Sequence, residues 1–249
     1  MEHKSKKTVI SAAIAAVLLI LSVLYLAFHP FVYLNGKLLS TDVTALELDY
    51  LNAANRSCYG LQYFDKLQTL RISHGYEQEF VYIPGTETPN EITLAFTSVK
   101  EPADIKALEN AGTLHFLVAR FDFDGFGSDK IKDLSFQSCC IDNFNGHGAL
   151  PNLEELTFYN CYFDREDFSF GLMMDKSDDT QTIADTNAFA ALDSVKRLCF
   201  DRIIFEDISG FLDMDSLEEI KISSDELSEE NIEKLEKAGI KVIKLSYQQ

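Results

Sequence analysis

The feature that most constrains this chain is an apolar spacing that changes partway through a short stretch. In LPNLEELTFYNCYF, residues 150–163, Leu150, Leu153 and Leu156 are three apart, while Leu156 and Phe158 are two apart. A three-residue step suits a helical face and a two-residue step suits a strand, so neither element can run through the whole stretch. The same rhythm returns in FDKLQTLRI (Phe64, Leu67, Leu70, Ile72), LDSVKRLCF (Leu192, Val195, Leu198, Phe200) and MDSLEEIKI (Met214, Leu217, Ile220, Ile222). DKIKDLSF keeps its last three members, Ile131, Leu134 and Phe136, and TALEL and EITLAF are weaker copies.

Taking the first residue of each two-spaced pair gives positions 46, 70, 94, 116, 134, 156, 198, 220 and 243. Most steps lie between 18 and 24 residues, with one of 42 between Leu156 and Leu198. That long step is either two coils or one coil with an insertion. Position 116 is a choice of register, because Leu114, Phe116 and Val118 alternate and Leu117 is a further alternative. DIKALENAG and NIEKLEKAG share Ile-x-x-Leu-x-x-Ala-Gly, at Ile105–Gly112 and Ile232–Gly239. Each reads as a short amphipathic helix closed by a C′ glycine, and each precedes an alternating strand. A helix, turn and strand repeated at a fixed period make a solenoid unit, whose apolar wedge is buried only by stacking on its neighbours.

The pattern resembles the leucine-rich repeat family, whose unit is L-x-x-L-x-L-x-x-N/C-x-L. Leu153, Leu156, Phe158, Cys161 and Phe163 match it in order, as do Ile131, Leu134, Phe136, Cys139 and Ile141. The resemblance covers about Leu46 to Leu245, with many aromatics and irregular lengths as departures. It implies an α/β, leucine-rich-repeat-like solenoid with a parallel sheet on one face and short helices or irregular turns on the other.

One transmembrane helix is expected before the solenoid. Residues 8–28 carry no charge. As a helix they would reach roughly 31 Å, the thickness of a bilayer's hydrocarbon core. The run is longer than a usual signal-peptide core and no A-x-A-like site follows, so a retained anchor is expected. Residues 1–7 form a basic tail in which Lys4, Lys6 and Lys7 favour the cytoplasmic side, placing the rest of the chain outside. Residues 29–45 read as a linker and N-terminal hairpin cap, on the strength of Asn35-Gly36 between short apolar runs. Residues 46–249 are the repeat domain, with a loop insertion around 165–187, and the acidic helix Ser228 to Ala238 closes the far end.

The net charge of −18 argues against a nucleic-acid partner, since phosphate binding needs a basic face. No cofactor, metal or catalytic motif is found. Asp122 to Asp129 resembles a calcium loop but lacks ligands of an EF-hand and reads as an acidic turn. The five histidines, at 3, 29, 74, 115 and 147, fall in no motif with a nucleophile. Cys139 and Cys161 are expected as buried thiols at the N/C site, Cys140 and Cys199 as pointing outward, and Cys58 in a loop beside the sequon Asn55-Arg56-Ser57.

Outward residues between the inward pairs are expected to be Glu47, Arg71, Ala95, Ser135, Thr157, Cys199 and Lys221, flanked by Asp133, Gln137 and others. The family resemblance implies protein or peptide binding on this face, with Glu155, Thr157, Tyr159, Arg197, Asp201, Glu219, Lys221 and Ser223 as candidate contacts. The bilayer is the second expected partner, through residues 8–28. An envelope spacer without a dedicated ligand, or an enzyme with an unfamiliar site, is compatible with the same residues.

Overall fold

A computed structural model of the protein describes residues 13–25, 29–34, 36–49, 60–79, 89–101, 106–166, 180–183, 185–223 and 226–245. Each rhythm resolves into a turn, where residues three apart face inward, and a short strand, where residues two apart do. The front strands are β3 (Ala45–Asp49), β4 (Thr69–Glu79), β5 (Glu91–Val99), β6 (Thr113–Leu117), β8 (Asp133–Gln137), β10 (Glu155–Tyr159), β13 (Arg197–Asp201), β15 (Glu219–Ile222) and β16 (Lys241–Lys244). They pair in that order, every pair parallel.

The register puts equivalent residues on one line: Leu46, Leu70, Ile92, Leu114, Leu134, Leu156, Leu198, Ile220 and Val242. Leu156, Leu198 and Ile220 therefore sit on neighbouring rungs of one sheet, as a solenoid requires. Three expected rungs are corrected. The pairs are Ile92/Leu94 and Leu114/Phe116, two residues earlier than positions 94 and 116 suggest. On the last strand Val242, not Ile243, aligns with Ile220. The steps from Leu70 to Ile92 to Leu114 are then 22 residues each, more regular than the sequence reading.

The second inward line runs through Phe116, Phe136, Phe158 and Phe200. Parallel in-register strands bring identical positions about 4.8 Å apart, so equal rings meet in offset stacks. The successive centroids lie 5.0, 5.4 and 6.1 Å apart with planes within 13° of parallel. All four rings are buried. Each contributes about 1.5–3 kcal/mol by leaving water.

A left-handed corner follows the front-sheet stretch of each central coil, falling inside β5 and just past the other strands. Phe96, Val118, Ser138, Asn160 and Arg202 have φ between 51° and 63°, apart from Val118 at 49°. Each lies four residues past its coil's first inward residue. The corner N–H groups stay paired across coils: Val118 donates to Gln137 O at 2.8 Å, Ser138 to Tyr159 O at 2.8 Å and Asn160 to Asp201 O at 3.1 Å. The next residue turns inward, so Thr97, Ala119, Cys139, Cys161 and Ile203 are at most 2% exposed. A second parallel ladder follows, made of the end of β5, β7 (Arg120–Asp122), β9 (Cys140–Asp142) and β11 (Tyr162–Phe163).

Because β10 pairs directly with β13, the long step is one coil with an insertion. Within the insertion, which carries no clear strand motif, β12 (Gln181–Ile183) nevertheless pairs with β14 (Ile203–Phe205). Gln181 splices the second ladder. Its amide oxygen accepts from Phe163 N at 2.6 Å, and its amide nitrogen donates to Phe163 O at 3.0 Å. The side chain thus stands in for a peptide group between β11 and β12. The insertion's polar tip, 175–182, lies outside the described residues up to position 179, as do Cys58 and the sequon.

Both ends are closed. The hairpin β1 (Phe31–Leu34) and β2 (Lys37–Ser40) turns at Gly36, with φ 75°, and sends Val32 and Leu34 into the core. At the other end the helix Glu229–Lys237 buries Ile232 and Leu235, and its N-cap Ser228 accepts from Asn231 N. Gly239, at φ 91°, is the left-handed C′ residue expected there. Gly112 is not: it keeps negative φ, and a Cβ at that position would lie 2.5 Å from Asn90 Oδ1, so close approach explains it instead.

Residues 13–25 form a helix whose side chains are all exposed, and the rest of the apolar run 8–28 lies outside the described residues. Among the described residues, no helix is long and apolar enough to cross a membrane.

Candidate functional site: the strand face

The outward residues of the front strands form three rows. The middle row runs Glu47, Arg71, Thr93, His115, Ser135, Thr157, Cys199 and Lys221. Thr93 takes the place expected for Ala95, and His115 joins the row, because the true rungs lie two residues earlier. Over the early and central coils the face sinks into a hollow of about 500 Å³ lined by Arg71, Thr93, His115, Leu117, Ser135, Phe136, Gln137, Thr157 and Tyr159. Small residues make the floor, since Thr93, Ser135 and Thr157 stand between taller neighbours. Tyr159, Leu117 and His115 supply ring and apolar edges. His115 Nδ1 and Ser135 Oγ share a hydrogen bond of 2.5 Å.

The eight candidate residues separate into three groups. Thr157 and Tyr159 line the hollow. Glu155 and Arg197 form an ion pair at its margin, with Nε and one terminal nitrogen both 2.8 Å from Glu155 Oε2. Glu155 holds the Arg197 guanidinium charged. Farther along, Glu219 bonds Lys241 at 3.0 Å and faces Lys221 at 3.5 Å. The Lys241 ammonium keeps the Glu219 carboxyl below its usual range.

Asp201 does not belong to an exposed ladder, which corrects the sequence expectation, and half-buried Ser223 is tied to it. Asp201 is only 3% exposed. The Ser223 hydroxyl lies 2.8 Å from Asp201 Oδ1 and 2.5 Å from Glu226 Oε1. Glu226 also accepts from Ser223 N and Ile203 N. Burial pushes the Glu226 carboxyl up, against these bonds. The group builds the corner of the last coils, where Arg202 is left-handed. Asp133, in the row beside the hollow, is likewise pushed up by burial and then by Glu155, while His115 and Arg197 oppose.

The cysteines are free among the described residues. Cys139 Sγ lies 3.4 Å from Phe116 O and 3.2 Å from Gln137 O, and Cys161 Sγ 3.3 Å from Phe136 O and 3.4 Å from Tyr159 O. Each thiol thus satisfies carbonyls at a left-handed corner, as expected of the N/C site. Cys140 points away from the core, as expected, yet it is buried, its Sγ lying 3.7 Å from Asp142 Oδ1 and 3.8 Å from Arg165 O. Burial pushes its thiol up to about 12, and that of Cys199, half-buried on the face, to about 11. Neither is poised as a thiolate nucleophile. Asp122, from the acidic turn, accepts from Asp124 N at 3.0 Å and from Asn143 Nδ2 at 2.9 Å.

No protein-family model matches the sequence, and no curated protein matches it. Among solved structures, an internalin (inlF) from Listeria monocytogenes is similar over 85% of this chain, with 12% identity and a TM-score of 0.49. This chain spans 64% of that protein's length. An internalin C2 from the same organism is similar over 84% of this chain and 80% of its own, with 17% identity and a TM-score of 0.48. The leucine-rich-repeat-like fold stands on the ladders described above.

Proposed function

We propose that this chain is a binding module of the leucine-rich-repeat type, held at a membrane by residues 8–28, that takes a protein or peptide segment on its strand face. The hollow under Arg71, His115 and Tyr159 carries the reading. It is a concave surface of about 500 Å³ with small hydroxyl residues on its floor and larger side chains at its edges. Such a surface suits an extended segment better than a flat ionic ladder does, since buried aromatic anchors dominate recognition. The ion pair Glu155–Arg197 borders the hollow, where exposed charges set orientation more than affinity. In this reading Lys4, Lys6 and Lys7 stay in the cytoplasm and the solenoid lies outside the membrane.

Panning displayed peptides against the full chain in lipid nanodiscs tests the binding surface. Enriched peptides should lose affinity about tenfold with Tyr159→Ala, worth about 1.4 kcal/mol. Failure to enrich any peptide, or equal binding by Tyr159→Ala and His115→Ala, would sink the reading. A membrane-impermeant amine reagent on intact cells tests the topology. Lys237 and Lys241, both exposed, should be labelled while Lys6 is protected. The reverse pattern would put the strand face in the cytoplasm.

A further inference from the structure

The β1–β2 hairpin is apolar on both faces. Its inner face is explained, because Val32 and Leu34 are buried in the core and Leu39 packs against it. The register Phe31↔Ser40 and Tyr33↔Leu38 places Phe31, Tyr33 and Leu38 together on the outer face. There Tyr33 is 70% exposed, Leu38 67% and Phe31 47%. A hairpin with one face in water ordinarily alternates apolar with polar residues, and this one does so only at Ser40. Lys37, exposed at the tip, pairs with Leu34 and so lies on the inner side.

The hairpin is also pinned to the helix before it. Tyr25 hydroxyl donates to Phe31 O at 3.2 Å, and His29 N–H donates to Tyr25 O at 2.8 Å. The His29 ring stacks on Tyr63 with centroids 4.0 Å apart and planes 10° from parallel. Thr41 closes the junction, donating from N to Pro30 O at 3.0 Å and from Oγ1 to His29 O at 2.8 Å. These bonds join the hairpin to an apolar helix on which Ile14, Leu18 and Leu19 are all more than half exposed.

We infer that the outer face of the β1–β2 hairpin rests in the interfacial layer of a lipid bilayer and so sets the tilt of the solenoid above it. The inference builds on the reading of residues 8–28 as an anchor. Rings with a polar end favour the headgroup level, and Tyr25 and Tyr33 would supply them. Leu38 and Phe31 would reach the upper acyl chains. A second copy of the chain could cover an apolar face, but it would give no reason for an aromatic edge where an apolar run emerges.

The chain has no tryptophan, so single substitutions make clean reporters. The full chain would be reconstituted in phosphatidylcholine–phosphatidylglycerol vesicles as Tyr33→Trp, Ile20→Trp or Tyr159→Trp. Emission from Tyr33→Trp should be lost to lipid brominated near the headgroup and spared by aqueous iodide, with the opposite for Tyr159→Trp. If Ile20→Trp is quenched by lipid while Tyr33→Trp answers only to iodide, the anchor stands and the hairpin inference falls. If Ile20→Trp is not quenched by lipid, the anchor reading fails and the inference with it. Protection of Tyr33→Trp from both quenchers would show another protein surface covering the hairpin, and would overturn the inference as well.

Discussion

Val118 turns its corner at φ 49°, a conformation that costs an L-residue roughly 1–2 kcal/mol and suits a β-branched one least. Asn160 holds the equivalent corner two coils later and reaches Ser138 Oγ with its amide at 3.3 Å. Val118→Asn should therefore raise stability by about 1 kcal/mol, after its lost apolar contact, visible as a rise in thermal midpoint. The carboxyl of Asp133 offers a second test. Its folded value lies above the usual one, so the native state binds the proton more tightly than the unfolded chain. Its charge thus destabilises the fold near neutral pH, and the penalty fades as pH falls through the folded value toward the ordinary carboxylate range. Asp133→Asn should raise the melting temperature at neutral pH, with the gain shrinking on acidification. A gain independent of pH would refute the electrostatic cause. Neither residue stands out in the sequence. Val118 reads there as one more alternating apolar position, and the charges acting on Asp133 come from four other coils.

At the scale of elements, register is where sequence reading and structure part. A slip of two residues keeps every side chain on its proper face, so alternation alone cannot detect it. Positions 94 and 116 erred in that way, and the error hid Thr93 and His115 from the strand face. The regular 22-residue step from Leu70 to Ile92 to Leu114 was the signal that could have found them. On the terminal strand the slip is one residue, and there the faces exchange: Val242 packs against the core and Ile243 looks outward. The bridge made by Gln181 had no sequence signal, because an amide side chain acting as a strand residue needs no pattern. Gln181→Leu would remove both the acceptor of the Phe163 N–H and the donor to Phe163 O. The variant should lose about 1–2 kcal/mol in denaturant titration, and the Phe163 amide should exchange faster. Unchanged exchange would mean that β12 docks without the bridge.

For the molecule as a whole, stability is shared between neighbouring coils, since each coil touches chiefly the ones beside it. The phenylalanine line through Phe116, Phe136, Phe158 and Phe200 joins four of them. Phe136 also meets Phe121 and Phe123 from the second ladder, at 5.4 and 5.6 Å. Phe136→Ala should cost about 3–5 kcal/mol, and Phe136→Leu distinctly less. If instead the loss is near that of a surface substitution, the rings are not the common core. Fast hydrogen exchange in Phe136→Ala should spread to both flanking strands, whereas damage to the end helix Glu229–Lys237 should stay at its own end.

The sequence by itself determined that this chain winds as a parallel solenoid, because only a coil that repeats can bury a three-three-two apolar rhythm at a fixed period. It also determined which faces of β3 to β15 point inward and the thiols at the N/C site. Only the tertiary structure decided the rungs of β5, β6 and β16, the single long coil, and the hollow around His115. These depend on which coil lies beside which, and contacts between residues about 22 positions apart leave no mark on local periodicity.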